Sequence, residues 1–234
     1  MRAIIAALLA NIGIATTKFI AAAISGSASM LAEAIHSVAD SGNQLLLIIG
    51  GKRAKRQATA AHPFGYGRSR YIYAFMVSIV LFSIGGMFSI LEGVSKLNEH
   101  HELENAWLPL LVLGVSIVLE SFSLRTALHE AQKIRGKSSL IQFIRHAKSP
   151  ELPVVMLEDI AALAGLVFAF AGVGLTALTH NSIFDAIGTL AIGGLLVLVA
   201  IILGIETSSL LIGEGASADD TGLIRDALEV VVGK

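Results

Sequence analysis

Glu33, His36 and Asp40 stand at i, i+3 and i+7 in the stretch 33-EAIHSVAD-40, within a run that otherwise reads as a membrane span. An ionisable side chain in hydrocarbon costs about 2.5–3.5 kcal/mol even on a lenient insertion scale, so three on one helix call for a partner. His36 and Asp40 lie one turn apart on one helical face, where an imidazole nitrogen and a carboxylate oxygen can converge on a single cation. They supply half of a tetrahedral zinc site, and the other half has to come from another helix. The competing reading pairs these charges with a buried base, for instance Lys18 in the preceding apolar run. That reading weighs most for Glu33.

Glu158 and Asp159 form a second acidic pair, followed directly by 160-IAALAGLVFAFAG-172. Adjacent helical residues point about 100° apart, so one serves as ligand while its neighbour supports it or accepts a proton. The alternative for each is a protonated carboxyl packed silently in a bundle. Other intramembrane polar residues leave two readings open. Glu120 either pairs with Lys18 or belongs to an ion path. Asn11 is an interhelical hydrogen-bonding group or a ligand. Glu92 and Asp185, toward the outer ends, are caps, pathway mouths or solvated groups. His100 and His101 sit in an acidic loop, solvated or collecting cations loosely. With no cysteine, disulfides and thiolate metal sites are excluded. No His-Glu-x-x-His helix is present for a membrane metalloprotease, and Lys18 lies in the first apolar run where a retinal-type pump needs its lysine in the last. The chain is expected not to be an enzyme.

The elements that must position these residues follow from hydropathy. Charged residues make up 15% of the chain and hydrophobic ones 54%, against about 25% charged in a soluble domain. Mean hydropathy is +0.75. A membrane-embedded all-α protein is expected, with the lipid bilayer as a partner and nucleic acid excluded. A span needs about 20 mostly apolar residues, and six segments qualify: 3–24, 31–50, 71–97, 107–128, 154–178 and 183–211. The small, uncharged connection 25-SGSASM-30 makes spans 1 and 2 a tight hairpin. The loops 52-KRAKRQATAAHPFGYGRSR-70 and 133-KIRGKSSLIQFIRHAKSP-150 are basic, whereas 96-KLNEHHELEN-105 and 179-THNS-182 are not. Short basic loops stay in the cytoplasm, which puts both termini there; the expected location is the plasma (inner) membrane. Residues 1–212 thus form a six-span domain. Residues 213–234 form a Gly/Ser/Asp linker and an amphipathic start with Leu223, Ile224, Leu228 and Val231 at helical spacing. This start either frays or opens a cytoplasmic domain that is largely absent from the chain.

These motifs together resemble the cation diffusion facilitator family of proton-coupled divalent metal exporters, over essentially the whole chain. The hairpin and span 2 read 26-GSASMLAEAIHSVADSGNQ-44, with the pair His36/Asp40; the basic loop carries 62-HPFGYGR-68; span 6 opens with Asp185 in 184-FDAIGTLAIGGLL-196 and ends at 209-SLLIGEGA-216. The resemblance implies a transport site made by two residues of span 2 and a His/Asp-x-x-x-Asp pair in span 5. Aligned on Asp159, the first member of that second pair is Val155, so one family ligand is missing and Glu158 is the substitute. The stretches 157-LEDIAAL-163 and 40-DSGNQ-44 resemble a subgroup with a Glu-Asp motif in the fifth span, related to an animal mitochondrial zinc transporter.

The resemblance implies secondary active export of a divalent transition-metal cation, zinc first, in exchange for protons by alternating access. Its metal ligands would be His36, Asp40, Asp159 and Glu158, with Asn11, Lys18, Glu33, Glu120 and Asp185 as supporting or pathway residues. Manganese, iron(II) and cobalt stay open, because one imidazole with carboxylates is a site of borderline softness. A passive metal channel or a metal sensor using the same site is the alternative. Family members are homodimers, which the resemblance extends to this chain.

Overall fold

The computed structural model describes residues 2–97, 105–135, 139–140, 144, 150–213, 215 and 218–232. Its helices are α1 (Arg2–Ser25), α2 (Ala28–Ala54), α3 (Ser69–Leu97), α4 (Trp107–Arg135), α5 (Glu151–Thr179), α6 (Ile183–Ile212) and α7 (Ala218–Val232). Among the described residues there is no strand, only one bridge between Thr59 and His62. The protein is all-α. By length and composition α3, α4, α5 and α6 can each cross a membrane, and Asn11–Ser25 adds a shorter apolar segment. α2 falls short by that measure because Glu33, His36, Asp40, Asn43 and Gln44 occupy its middle.

That polar helix is the central one, packed against α1, α3, α5 and α6. Its start is built by several devices acting together. Gly26 ends α1 with φ +68°, a backbone region that glycine enters without penalty. The Ser27 hydroxyl accepts from the Met30 amide at 3.1 Å, an N-cap that satisfies one of the free donors of the first turn. The last turn of α2 carries Lys52 and Arg53, favourable at the negative end of the helix dipole.

Small residues set how closely the helices approach. A Cβ on Gly172 of α5 would sit 2.9 Å from the Phe184 carbonyl at the start of α6, and one on Gly188 of α6 would sit 3.1 Å from the Phe168 carbonyl. These helices therefore cross backbone against backbone, as small residues permit in membranes. Gly86 of α3 and Gly193 of α6 do the same, and the contact coincides with a π-helical segment at Leu81–Met87. The glycine stretches at 84–87, 171–175 and 192–195 thus each contribute a helix contact. Met30, Leu81, Leu113, Leu166, Ile192, Leu196 and Leu203 fill the core between these crossings.

Candidate functional site

A cavity of about 140 Å³ opens among α1, α2, α4 and α5. It has room for a cation with part of its hydration shell. Its wall brings together Asp40 from α2, Glu120 from α4, and Val155, Glu158 and Asp159 from α5, with Asn11 and Lys18 from α1. Four carboxyl-bearing residues from three helices therefore border one space inside an apolar bundle.

The two acidic residues of α5 lean apart, as a 100° offset dictates. Glu158 accepts from Asn43 Nδ2 of α2 at 2.7 Å, whereas Asp159 accepts from Ser123 Oγ of α4 at 3.0 Å. Each carboxylate is anchored by one neutral donor, and both residues still line the cavity. A neutral donor fixes the direction of a carboxyl group without pairing it with a cation.

His36 lies behind Asp40 and is almost wholly buried, at 1% exposure. Neither ring nitrogen has a hydrogen-bond partner, and neither has Asp40 Oδ1. His36 Nε2 stands 3.4 Å from Asp40 Oδ2, the meeting of i and i+4 expected on one helix face. Buried polar atoms are nearly always satisfied, so both imidazole nitrogens and Asp40 Oδ1 keep bonding capacity that no protein group uses. A divalent cation fits this donor chemistry. Among the described residues no three His, Asp or Glu groups are already gathered close enough to hold one ion. Asp40 of α2 and the Glu158/Asp159 pair of α5 border the cavity without converging, and His36 is not part of its wall.

The remaining sequence candidates separate clearly. Lys18 Nζ lies 3.0 Å from Glu33 Oε2 and donates to Ser37 Oγ at 2.8 Å, so Lys18 pairs with Glu33 and not with Glu120. Glu33 is fully buried against Gly165, where an added Cβ would meet its Oε1 at 2.7 Å. Asn11 Nδ2 donates to Gln44 Oε1 at 3.3 Å, an interhelical bond at the cavity wall. Asp185 is a cap. Its carboxylate accepts from Ser27 Oγ at 2.8 Å, from the amides of Ala28 at 2.6 Å and Ser29 at 3.3 Å, and from Ser29 Oγ, and so closes the N-terminus of α2 from α6. A carboxylate there also meets the positive end of the helix dipole.

The motif 62-HPFGYGR-68 forms an exposed turn in which His62 stacks on Tyr66, with ring centroids 4.5 Å apart, and Gly65 takes φ +74°. None of its residues lines the cavity. His100 and His101 lie outside the described residues. Sequence reasoning missed Asn43, Gln44 and Ser123. The signal for Asn43 was its position three residues after Asp40 and seven after His36, on the same stripe of α2.

Comparison with known proteins points the same way. The profile of the cation efflux transmembrane domain matches residues 4–212. A Xenopus laevis protein named proton-coupled zinc antiporter SLC30A9, mitochondrial, is 35% identical over 214 residues, 91% of this chain and 38% of its own length. Metal tolerance protein C4 of Arabidopsis thaliana is 34% identical over 221 residues, 94% of this chain and 48% of its own. Magnetosome protein MamB of a Magnetospira strain is 26% identical over 196 residues, 84% and 62% respectively. The chain spans less than half the length of the first two relatives.

Proposed function

The chain belongs to the cation efflux family, a family of membrane transporters and not of enzymes, and from that premise we propose that it exchanges a divalent transition-metal cation for protons by alternating access. Zinc is the first substrate in this reading. The observation that carries it is His36, buried in α2 with neither ring nitrogen hydrogen-bonded, next to Asp40, which lines a cavity that Glu158 and Asp159 border from the facing helix. His36, Asp40 and Asp159 are the proposed ligands, and Glu158 takes the place of the family ligand lost at Val155.

Ligand chemistry supplies the coupling. Imidazole and carboxylate bind a metal only when deprotonated, so metal and protons compete for the same atoms. From the side where protons are scarce the metal occupies the site. On the other side protons displace it and return with the empty carrier. No separate proton wire is needed. The cavity side chains come from α1, α2, α4 and α5, so tilting the α2–α5 contact would open and close the space between the ligand pairs.

In this reading the chain crosses the membrane six times with residues 213–234 as a linker, both termini lie on the side of the basic loops, and it works as a homodimer. The plasma-membrane assignment draws no support from relatives named mitochondrial; what carries over is a membrane that sustains a proton gradient. The test is zinc uptake into proteoliposomes under an imposed pH gradient, beside manganese, iron(II) and cobalt. Saturable flux that follows the gradient and disappears in Asp159→Ala supports the exchanger. Flux indifferent to the gradient would make the protein a passive channel.

A further inference from the structure

Among the described residues, Asn43 is the uncharged side chain whose hydrogen bond ties α2 to α5 at the proposed site. It is fully buried, its Nδ2 donates to Glu158 Oε1 at 2.7 Å, and its Oδ1 has no partner. The bond satisfies a buried amide donor, which is a gain in the interior. Leaving Oδ1 idle in the interior works against that gain. Apolar packing alone gives no reason for such a group, because a leucine would fill the space without a polar debit.

The geometry of α5 supplies a reason. Val155, Glu158 and Asp159 stand at i, i+3 and i+4 and all line the cavity. Long side chains on a helix lean toward its N-terminus and cover the turn before their own Cα. Glu158 is therefore the residue whose carboxylate reaches the turn of Val155, where the family ligand is lacking. A glutamate has one more rotatable bond than an aspartate and reaches several positions. The Asn43 bond removes that freedom by pinning one oxygen to α2, the helix of His36 and Asp40, while Glu158 still borders the cavity.

We propose that Asn43 is a positioning residue for metal binding, holding Glu158 so that its carboxylate replaces the ligand absent at Val155. The proposal rests on the metal-site reading above. Asn43 touches no metal; it acts through Glu158, and its effect on binding depends on Glu158 being there. A supporting hydrogen bond of this kind typically governs roughly 10–100-fold of metal affinity.

The experiment is calorimetric titration of the purified chain in detergent with zinc, with thermal melts confirming that each variant is folded. Asn43→Ala is expected to weaken zinc binding roughly 10–100-fold. Asn43→Asp, which keeps the side-chain shape and removes the donor, is expected to weaken it as well. In the Glu158→Gln background, Asn43→Ala is expected to cost nothing further. Val155→Asp, which restores the family's paired ligand, is expected to bring Asn43→Ala back to wild-type affinity. Wild-type binding by Asn43→Ala, or a loss that adds in full to that of Glu158→Gln, overturns the assignment. If Asp159→Ala binds zinc as well as the wild type, the metal-site reading itself falls and takes this assignment with it. If Asp159→Ala is dead and Asn43→Ala is normal, only the role of Asn43 is lost.

Discussion

Replacing Lys18 by methionine removes the cation from a buried ion pair and leaves the volume nearly unchanged. Lys18 Nζ is 3.0 Å from Glu33 Oε2, with the two side chains 5% and 0% exposed. Breaking a buried pair from one side costs about 3–5 kcal/mol, because the surviving charge stays desolvated. Little relief is available to Glu33: its Oε1 has no partner and Gly165 closes over it. Ser37 is also left without the Lys18 donor. A chain of this length shifts its melting temperature by about 2–4 °C per kcal/mol, so the low end of that range corresponds to a drop of about 10 °C. The assay is a thermal melt of purified protein in detergent, run on Lys18→Met, Glu33→Gln and the double variant. The double variant removes both charges and should recover most of the loss, since neutral replacements of buried pairs are often tolerated. If Lys18→Met melts with the wild type, or the double variant is the sum of the singles, the pair does not contribute as argued.

Other consequences can be checked independently. Gly165→Ala puts a Cβ 2.7 Å from Glu33 Oε1 and should displace that carboxylate; the melting temperature should fall in the wild type and much less in the Glu33→Ala background. Asp185→Ala removes the acceptor shared by Ser27, Ala28 and Ser29, a loss of about 1–3 kcal/mol. Hydrogen exchange at the Ala28 and Ser29 amides should accelerate while zinc affinity of the folded protein holds; loss of zinc binding without faster exchange would contradict the capping role. Gly172→Val drives a side chain into the Phe184 carbonyl at 2.9 Å, so yield of folded protein should collapse, and normal yield would show that α5 and α6 can separate cheaply. Zinc affinity should rise with pH, because His36 and the carboxylates bind metal only without their protons; a flat profile would remove competition as the basis of coupling.

Much of the helical frame is legible in the amino-acid sequence. Apolar stretches, a small-residue hairpin and basic loops are properties of consecutive residues, and a continuous apolar segment of about 20 residues can satisfy its own backbone in a membrane only as a helix. The His36–Asp40 meeting is equally legible, since i and i+4 share a face of any helix. The divergence of Glu158 and Asp159 follows from the same geometry. The exposed turn at His62–Arg68 carries a recognisable motif, yet its residues stay off the cavity wall, and nothing in their spacing indicates which side of the bundle they occupy.

What no sequence pattern fixes is the partner of each buried charge. Lys18 has Glu33 and Glu120 both within reach by composition, and the rotation of α1 against α2 chooses Glu33. Asp185 is open to three readings until α6 packs its first turn against the start of α2. Glu158 reaches Asn43, and Asp159 reaches Ser123, because α5 sits between α2 and α4. The identity of the chemistry is written in residue types and helical spacing, which act within one helix. The pairing is decided by how the helices rotate and shift against one another, and that depends on contacts such as Gly172 on Gly188 and Gly86 on Gly193, between residues far apart in the chain.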